Sequence, residues 1–193
     1  MKNTILGIIG GIALFIALLI VPFSFHKIET GEIAVVKKFG KAEGTKEAGL
    51  HFDVWFVKKY EKYDLKTQEI TTDIAAYSLD AQTMTASLTI QYKIKPDMVM
   101  AINEEYGSLE TLQGRLTSVA VEKSKVVLAS QSAMKIIENR NMLSSQLEEA
   151  ITKAMANYNV DIELAIITNI DFSDAFEKVV EDKMIAEQVA AYN

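Results

Sequence analysis

The clearest pattern in the chain is a period of two over residues 85–95. Ala86, Leu88, Ile90, Tyr92 and Ile94 alternate there with Thr85, Ser87, Thr89, Gln91, Lys93 and Lys95. Such alternation predicts a strand with one face on a core and one in water, as antiparallel sheets have. A second alternating run sets Val160, Ile162, Leu164 and Ile166 against Asp161, Glu163 and Ala165, and it persists to Ile170 and Phe172. Residues 33–39 form a short apolar run between Gly31 and Gly40, which reads as a strand between turns. Residues 41–49 read as a loop, 50–57 as a strand or an apolar loop, and 60–76 as extended chain. Helical spacing takes over between the two alternating runs. Pro96 suits the first turn of a helix over residues 97–106. A second helix, over 108–129, presents Leu112, Leu116, Val119, Ala120, Lys123 and Val127 on one stripe. A third starts near Ser132, breaks at Asn139-Arg140-Asn141, and continues through Leu143, Leu147, Ile151, Ala154 and Tyr158. Ser173 or Asp174 can cap a last helix, the latter with Glu177 as a capping box. Strands, helices, a late strand and a final helix make an α+β fold with a mostly antiparallel sheet.

A different pattern fills the start of the chain. Seventeen of the first 25 residues are apolar, and no formal charge lies between Lys2 and His26. The run contains Ile5, Leu6, Ile8, Ile9, Ile12, Leu14, Phe15, Ile16, Leu18, Leu19, Ile20, Val21, Phe23 and Phe25. As a helix, residues 5–25 would span about 31 Å, close to the hydrocarbon thickness of a bilayer. A cleaved signal peptide is the alternative. Against it, the run exceeds a usual h-region, and the exit through Val21-Pro22-Phe23-Ser24-Phe25 has no small-x-small site. The expectation is a retained single-pass anchor over 1–25, a domain over 26–172, and a terminal helix over 173–193. Lysines do not settle its orientation. Lys2 precedes the run and Lys27, Lys37, Lys38 and Lys41 follow it, which by count places the body in the cytoplasm, but large domains translocate regardless of such charges.

Composition narrows the function. All 26 acidic residues follow position 25, and the chain carries a net charge of −6. A pI near 5.1 lacks the basic balance of a nucleic-acid binder, so no nucleic-acid partner is expected. With no cysteine there is no disulfide scaffold, thiol nucleophile or zinc finger. No Gly-rich phosphate loop, GxSxG or HExxH occurs. The two histidines, His26 and His51, read as an interfacial polar residue and a partly buried side chain. Asp161 and Glu163 share a strand face, where paired carboxylates usually keep the surface solvated rather than move protons. The chain therefore reads as no enzyme, with no cofactor and no metal.

Several blocks together resemble a known family. Gly31-Glu32-Ile33-Ala34-Val35-Val36, Phe39-Gly40-Lys41 and Gly49-Leu50-His51-Phe52 are similar to the opening of the band-7 (SPFH) superfamily of stomatins, prohibitins and flotillins. Ser78-Leu79-Asp80-Ala81-Gln82, leading into Leu88-Thr89-Ile90-Gln91-Tyr92-Lys93-Ile94, resembles the next block. Thr168-Asn169-Ile170-Asp171-Phe172-Ser173, Ala175-Phe176 and Ala186-Glu187-Gln188 resemble the prohibitin branch most. Asn139-Arg140 also sits where these proteins usually carry an arginine. One departure is Trp55, where members commonly have a proline shortly after the His-Phe pair. The resemblance implies a non-enzymatic membrane scaffold that assembles into rings or cages with copies of itself or a paralogous subunit, and that organises membrane microdomains. It also implies an FtsH-type membrane AAA protease as a partner in membrane protein quality control. The location would be a bacterial inner membrane or its equivalent, with the body on the non-cytoplasmic face. The final helix would begin the coiled coil with which prohibitins continue. The reading from another class is a monomeric, membrane-tethered adaptor that recruits one partner through its acidic surface.

Two surfaces are candidates for these roles. Phe52, Trp55 and Phe56 run into Lys58 and Lys59, a combination suited to a headgroup boundary where aromatic rings sit in the interface and lysines meet lipid phosphates. The same residues could instead form a core strand with Phe52, Val54 and Phe56 inward. The last helix and its approach present Phe172, Phe176, Val179, Val180, Ala186 and Val189, an apolar set for packing on a neighbouring subunit or back on its own domain.

Overall fold

The computed structural model describes Gly10, Gly11, Phe15, residues 25–53 and residues 57–192. Two compact units divide the chain, one within Met1–Lys66 and Ile94–Leu109, the other within Thr67–Lys93 and Glu110–Asn193. Apart from Phe15 and Phe25, the expected anchor residues (Ile5 to Phe23) lie outside the described residues, as do Trp55 and Phe56. Among the described residues no helix is long and apolar enough to cross a membrane. Phe25, counted with the anchor, is a strand residue. The apolar run therefore gives way to sheet one residue earlier than its hydropathy indicates, because Phe25 can pair in a ladder as readily as it can sit in lipid.

The first unit contains β1 (Phe25–Ile28), β2 (Glu32–Lys38), β3 (Lys41–Lys46), β4 (Gly49–Phe52) and β5 (Lys58–Asp64). A 3-10 turn at Pro96–Met98 leads into α1 (Val99–Tyr106). β1 and β4 form an antiparallel pair, and β2 is the centre of a β3-β2-β5 sheet with both neighbours antiparallel. Ile33, Ala34, Val35 and Val36 are all buried. Consecutive burial means both faces of β2 are covered, one of them by α1, and explains why this strand shows no alternation. Residues 41–46, expected as loop, form strand β3. Their polar composition hides a strand that only has to pair with β2 at the sheet edge. Asn103 fixes α1 from inside. Its buried Nδ2 donates to the Tyr63 hydroxyl at 2.7 Å and to the Gly107 carbonyl at 3.1 Å. Gly107 ends the helix at φ 77°, a conformation glycine adopts without a Cβ clash.

The second unit holds the sheet β6-β7-β8, made of β6 (Gln68–Tyr77), β7 (Thr83–Ile94) and β8 (Val160–Phe172). Its helices are α2 (Leu109–Ala129), α3 (Ala133–Glu138), α4 (Arg140–Met155) and α5 (Asp174–Tyr192). Ala86, Leu88, Ile90, Tyr92 and Ile94 of β7 are buried, as their alternation predicts, and Ile90 stands opposite Ile70 of β6. The extended stretch 60–76 is in fact two strands, β5 and β6. On α2 the buried stripe is Leu112, Leu116, Ala120, Ser124 and Leu128, a strict four-residue ridge. Val119, Lys123 and Val127 are only half-buried beside it, so the ridge selects by position rather than by hydropathy. The α3–α4 break falls at Asn139, within the expected Asn139-Arg140-Asn141. In β8 the expected alternation weakens midway. Ala165 is buried while Ile162, Leu164 and Ile166 are half-buried, and Asn169 adopts a left-handed φ of 49° that interrupts the pleat.

The Ser78–Gln82 block has a structural task here. Ser78 Oγ donates to Asp80 Oδ1 at 2.6 Å, and the same Oδ1 accepts the Ala133 amide at 2.9 Å. Asp80 thus caps the start of α3 from 53 residues away, where the adjacent Ser132 makes no side-chain cap bond. The Leu79 amide adds a bond to the Gln131 carbonyl at 2.8 Å. These bonds hold the Asp80 carboxyl below its ordinary range, the Ser78 hydroxyl first and the Ala133 amide second.

Candidate functional site

The end of the first unit where the chain leaves its uncharged run is unusually aromatic. Phe25 of β1 pairs with Phe52 of β4, and their rings meet edge-on with centroids 5.2 Å apart. Both are exposed, as is Leu50 on the same β4 strand. Behind them His26 stacks on Tyr60 at 4.3 Å, nearly parallel, and His51 lies 6.3 Å from the same ring. The Tyr60 hydroxyl donates to Asp53 Oδ2, and Lys58 Nζ pairs with Asp53 Oδ1 at 2.8 Å. The Lys58 and Tyr60 bonds hold the Asp53 carboxyl below its usual range. Burial, then the bond to Asp53, pushes the Tyr60 hydroxyl up. Asp53 therefore stays ionised and ties the segment after β4 to the start of β5. Phe25, His26, Lys58, Lys59 and Tyr60 line one groove of about 550 Å³ between β1 and β5. Of the residues expected at a lipid interface, Phe52, Lys58 and Lys59 thus gather at this edge. Lys58 also neutralises Asp53, so its charge is shared rather than free. Neither histidine has the partner set of a general base. His51 Nε2 meets the Glu47 carbonyl at 2.9 Å, and His26 Nε2 is buried without a hydrogen-bond partner.

A residue passed over in the sequence stands out beside them. β2 and β3 are joined by the two-residue turn Phe39-Gly40, between the paired Lys38 and Lys41. Both turn residues have positive φ, 47° and 87°, the geometry of a type I′ hairpin. That turn favours Asn-Gly or Gly-Gly, and an L residue with a bulky side chain there costs roughly 1–2 kcal/mol. Phe39 is also 80% exposed, so packing inside its own unit does not offset that cost. The signal was available in the sequence: a large aromatic directly before a hairpin glycine, between lysines.

The last helix forms the second surface. Phe176 and Glu177 amides bond to the Ser173 carbonyl, and Glu177 Oε1 turns back to accept the Phe172 amide at 3.3 Å. Glu177 therefore closes the helix start as expected, but on Phe172 rather than with Asp174. Phe172 and Val180 are nearly fully buried, and the Phe172 and Phe176 rings lie 5.2 Å apart. These two residues, expected to face a neighbouring subunit, instead dock α5 onto its own unit. The docked start leaves a groove of about 410 Å³, lined by Ile137, Ile170, Val180, Met184 and Ile185 among others. Val179, Met184, Ile185 and Val189 remain more than half exposed, and Ala186 is exposed as well. Val179 and Ala186, two turns apart, lie on one face turned away from Val180.

Among the described residues no group of three or more histidines, cysteines or carboxylates could hold a metal. Asp161 and Glu163 of β8 do not act as a pair. Glu163 is taken by Lys93 at 2.6 Å and by the Thr67 hydroxyl at 2.8 Å.

The profile of the SPFH domain / Band 7 family matches residues 26–193. The chain belongs to the SPFH domain / Band 7 family. Prohibitins are among its relatives within that family. Prohibitin-7, mitochondrial, of Arabidopsis thaliana is 26% identical over 193 residues, covering 96% of this chain and 66% of the relative. Prohibitin 1 of Drosophila melanogaster is 28% identical over 188 residues, covering 94% of this chain and 67% of the relative. Mitochondrial prohibitin complex protein 1 of Caenorhabditis elegans is 27% identical over 192 residues, covering 96% and 69%. The chain spans about two thirds of the length of the relatives it matches. The SPFH profile begins at His26, so β4 with Phe52, the Phe39 hairpin, the Asp80 clasp and α5 lie within the family domain, and Phe25 stands one residue before it.

Proposed function

We propose that this chain is a non-enzymatic, single-pass membrane scaffold whose SPFH domain assembles into a ring or cage at the bilayer. In this reading residues 1–25 form the anchor, 26–172 the domain, and 173–193 the start of an assembling helix. The observation that carries it is the aromatic, lysine-flanked edge of Phe25, Phe52, Lys58 and Lys59, which stands where the sequence leaves its 23-residue uncharged run. Anchored subunits meet in two dimensions, so modest side-to-side contacts gain from a high effective concentration. Val179, Met184, Ile185 and Ala186 of α5 are the residues this reading assigns to those contacts. The prohibitin relatives support the assembly, one of them being named for a mitochondrial prohibitin complex. An FtsH-type membrane AAA protease, whose access to substrate the scaffold regulates, is the partner this kinship favours, with the body on the non-cytoplasmic face. Light scattering of the full chain in mild detergent tests the assembly. A mass of many subunits is expected, and a monomer mass would favour the tethered adaptor instead.

A further inference from the structure

We propose that the Phe39 hairpin tip is a second membrane contact, inserted into the headgroup region of an anionic leaflet beside the anchor. The inference rests on the membrane-scaffold reading and adds to it a lipid class and a docking orientation. Four observations place the tip at the right end of the unit. Lys38 of β2 stands opposite Lys58 of β5 at the last position of their ladder. The Phe39 amide donates to the Val57 carbonyl at 3.2 Å, directly before Lys58. Lys58 and Lys59 share a groove with Phe25, and Phe25 packs edge-on against Phe52. The register of β2 with β3 slips between Val36 and Lys37, leaving an extra residue on β3, and such a bulge bends a hairpin out of its sheet.

Charge and strain select the occupant. Lys38, Lys41, Lys58 and Lys59 surround the tip, and Glu43 and Asp53 are the carboxylates paired among them, at 3.7 Å to Lys38 and 2.8 Å to Lys58. Lys41 and Lys59 are exposed, so this end is locally positive on a chain of net charge −6. An exposed aromatic ring ringed by lysines matches the boundary between lipid phosphates and acyl chains, where rings sit at headgroup depth and lysines reach the phosphates. Backbone strain retained at an exposed position points to a use outside the unit. The sequence enters β1 from the uncharged run without a linker, which favours a bilayer over a soluble partner as what covers the tip.

The absence of other tryptophans makes the test direct, since Trp55 is the only one. The full chain carrying Trp55→Phe and Phe39→Trp is reconstituted into phosphatidylcholine vesicles with and without phosphatidylglycerol, each made with brominated phosphatidylcholine. Quenching by bromines near the top of the acyl chains, stronger when phosphatidylglycerol is present, is the expected result. Replacing Lys41 and Lys59 with glutamine should lower the inserted-to-free ratio by about five-fold per lysine in anionic vesicles. Phe39→Asn controls for folding, because asparagine accepts a left-handed turn. It should keep or raise the thermal midpoint. Water-exposed emission without quenching overturns the proposal. Blue-shifted emission that brominated lipid leaves untouched also overturns it, by assigning the tip to a protein neighbour. In either case the chain should still float with vesicles through its anchor. Loss of flotation would instead count against the scaffold reading itself.

Discussion

Replacing Asn103 with alanine removes a buried side chain that ties α1 to the sheet beneath it by a hydrogen bond. Asn103 Nδ2 bonds the Tyr63 hydroxyl at 2.7 Å, and Tyr63 is fully buried. Alanine leaves that oxygen without its donor, and a buried unsatisfied polar group costs roughly 1–3 kcal/mol. The second bond, to the Gly107 carbonyl, is a smaller loss because Lys37 Nζ also reaches that carbonyl at 3.2 Å. About 2 kcal/mol in all is expected, and it falls on the first unit. Hydrogen exchange of the full chain in mild detergent reads this locally. Peptides covering β2 and α1 should lose about 30-fold in protection, while those from β6 to β8 stay unchanged. The Tyr63→Phe background should recover part of the loss, since no hydroxyl is then left without a partner. A change below about threefold in β2 and α1 would show that Asn103 does not hold the helix.

Further predictions concern the other named features. Changing Val179, Met184 and Ile185 to serine, with Val180 and Phe172 intact, should preserve the fold. Each side chain is about half exposed, so an interface can still gain about 1 kcal/mol from each, and the triple change should weaken self-association by roughly a hundredfold. Sedimentation across a concentration series checks this, and an unchanged mass distribution removes α5 from the interface. The Asp80 clasp predicts an acid dependence. Because its folded carboxyl lies below the ordinary value, its contribution is complete above the unfolded pKa and is lost as pH falls through the folded one. Exchange at the start of α3 should therefore rise on acidification below about pH 4 in the native chain and stay flat in Asp80→Asn. Phe39→Asn should leave the melting temperature equal or higher, and a marked fall would show that the ring packs inside its own unit.

The sequence made the strongly periodic elements legible. β7 followed its alternation, β8 formed over the expected run although its burial pattern weakened midway, and the helix break fell at Asn139, because half-buried strands and two-faced helices write their geometry into residue spacing. The family blocks, too, could be read directly. What escaped was set by tertiary context. β3 carries almost no apolar residue, so its pairing to β2 left no pattern. The ridge of α2 buries Ser124 and leaves Val119 and Val127 half-covered, a choice made by the packing surface rather than by hydropathy. Phe172 and Val180 looked the same as Val179 from composition, and only the docking of α5 separates inward residues from outward ones. The Asp80 cap joins residues 53 apart, which no local window can detect. Phe39 read as the end of an apolar strand, whereas its backbone dihedral makes it the tip of a hairpin.

The central claim is a membrane-bound assembly of SPFH domains, and electron microscopy of the full chain extracted in mild detergent tests it most directly. Closed rings or cages of many copies, with the first units against the detergent belt, are the expected particles. A homogeneous population of single chains in separate micelles would contradict the account.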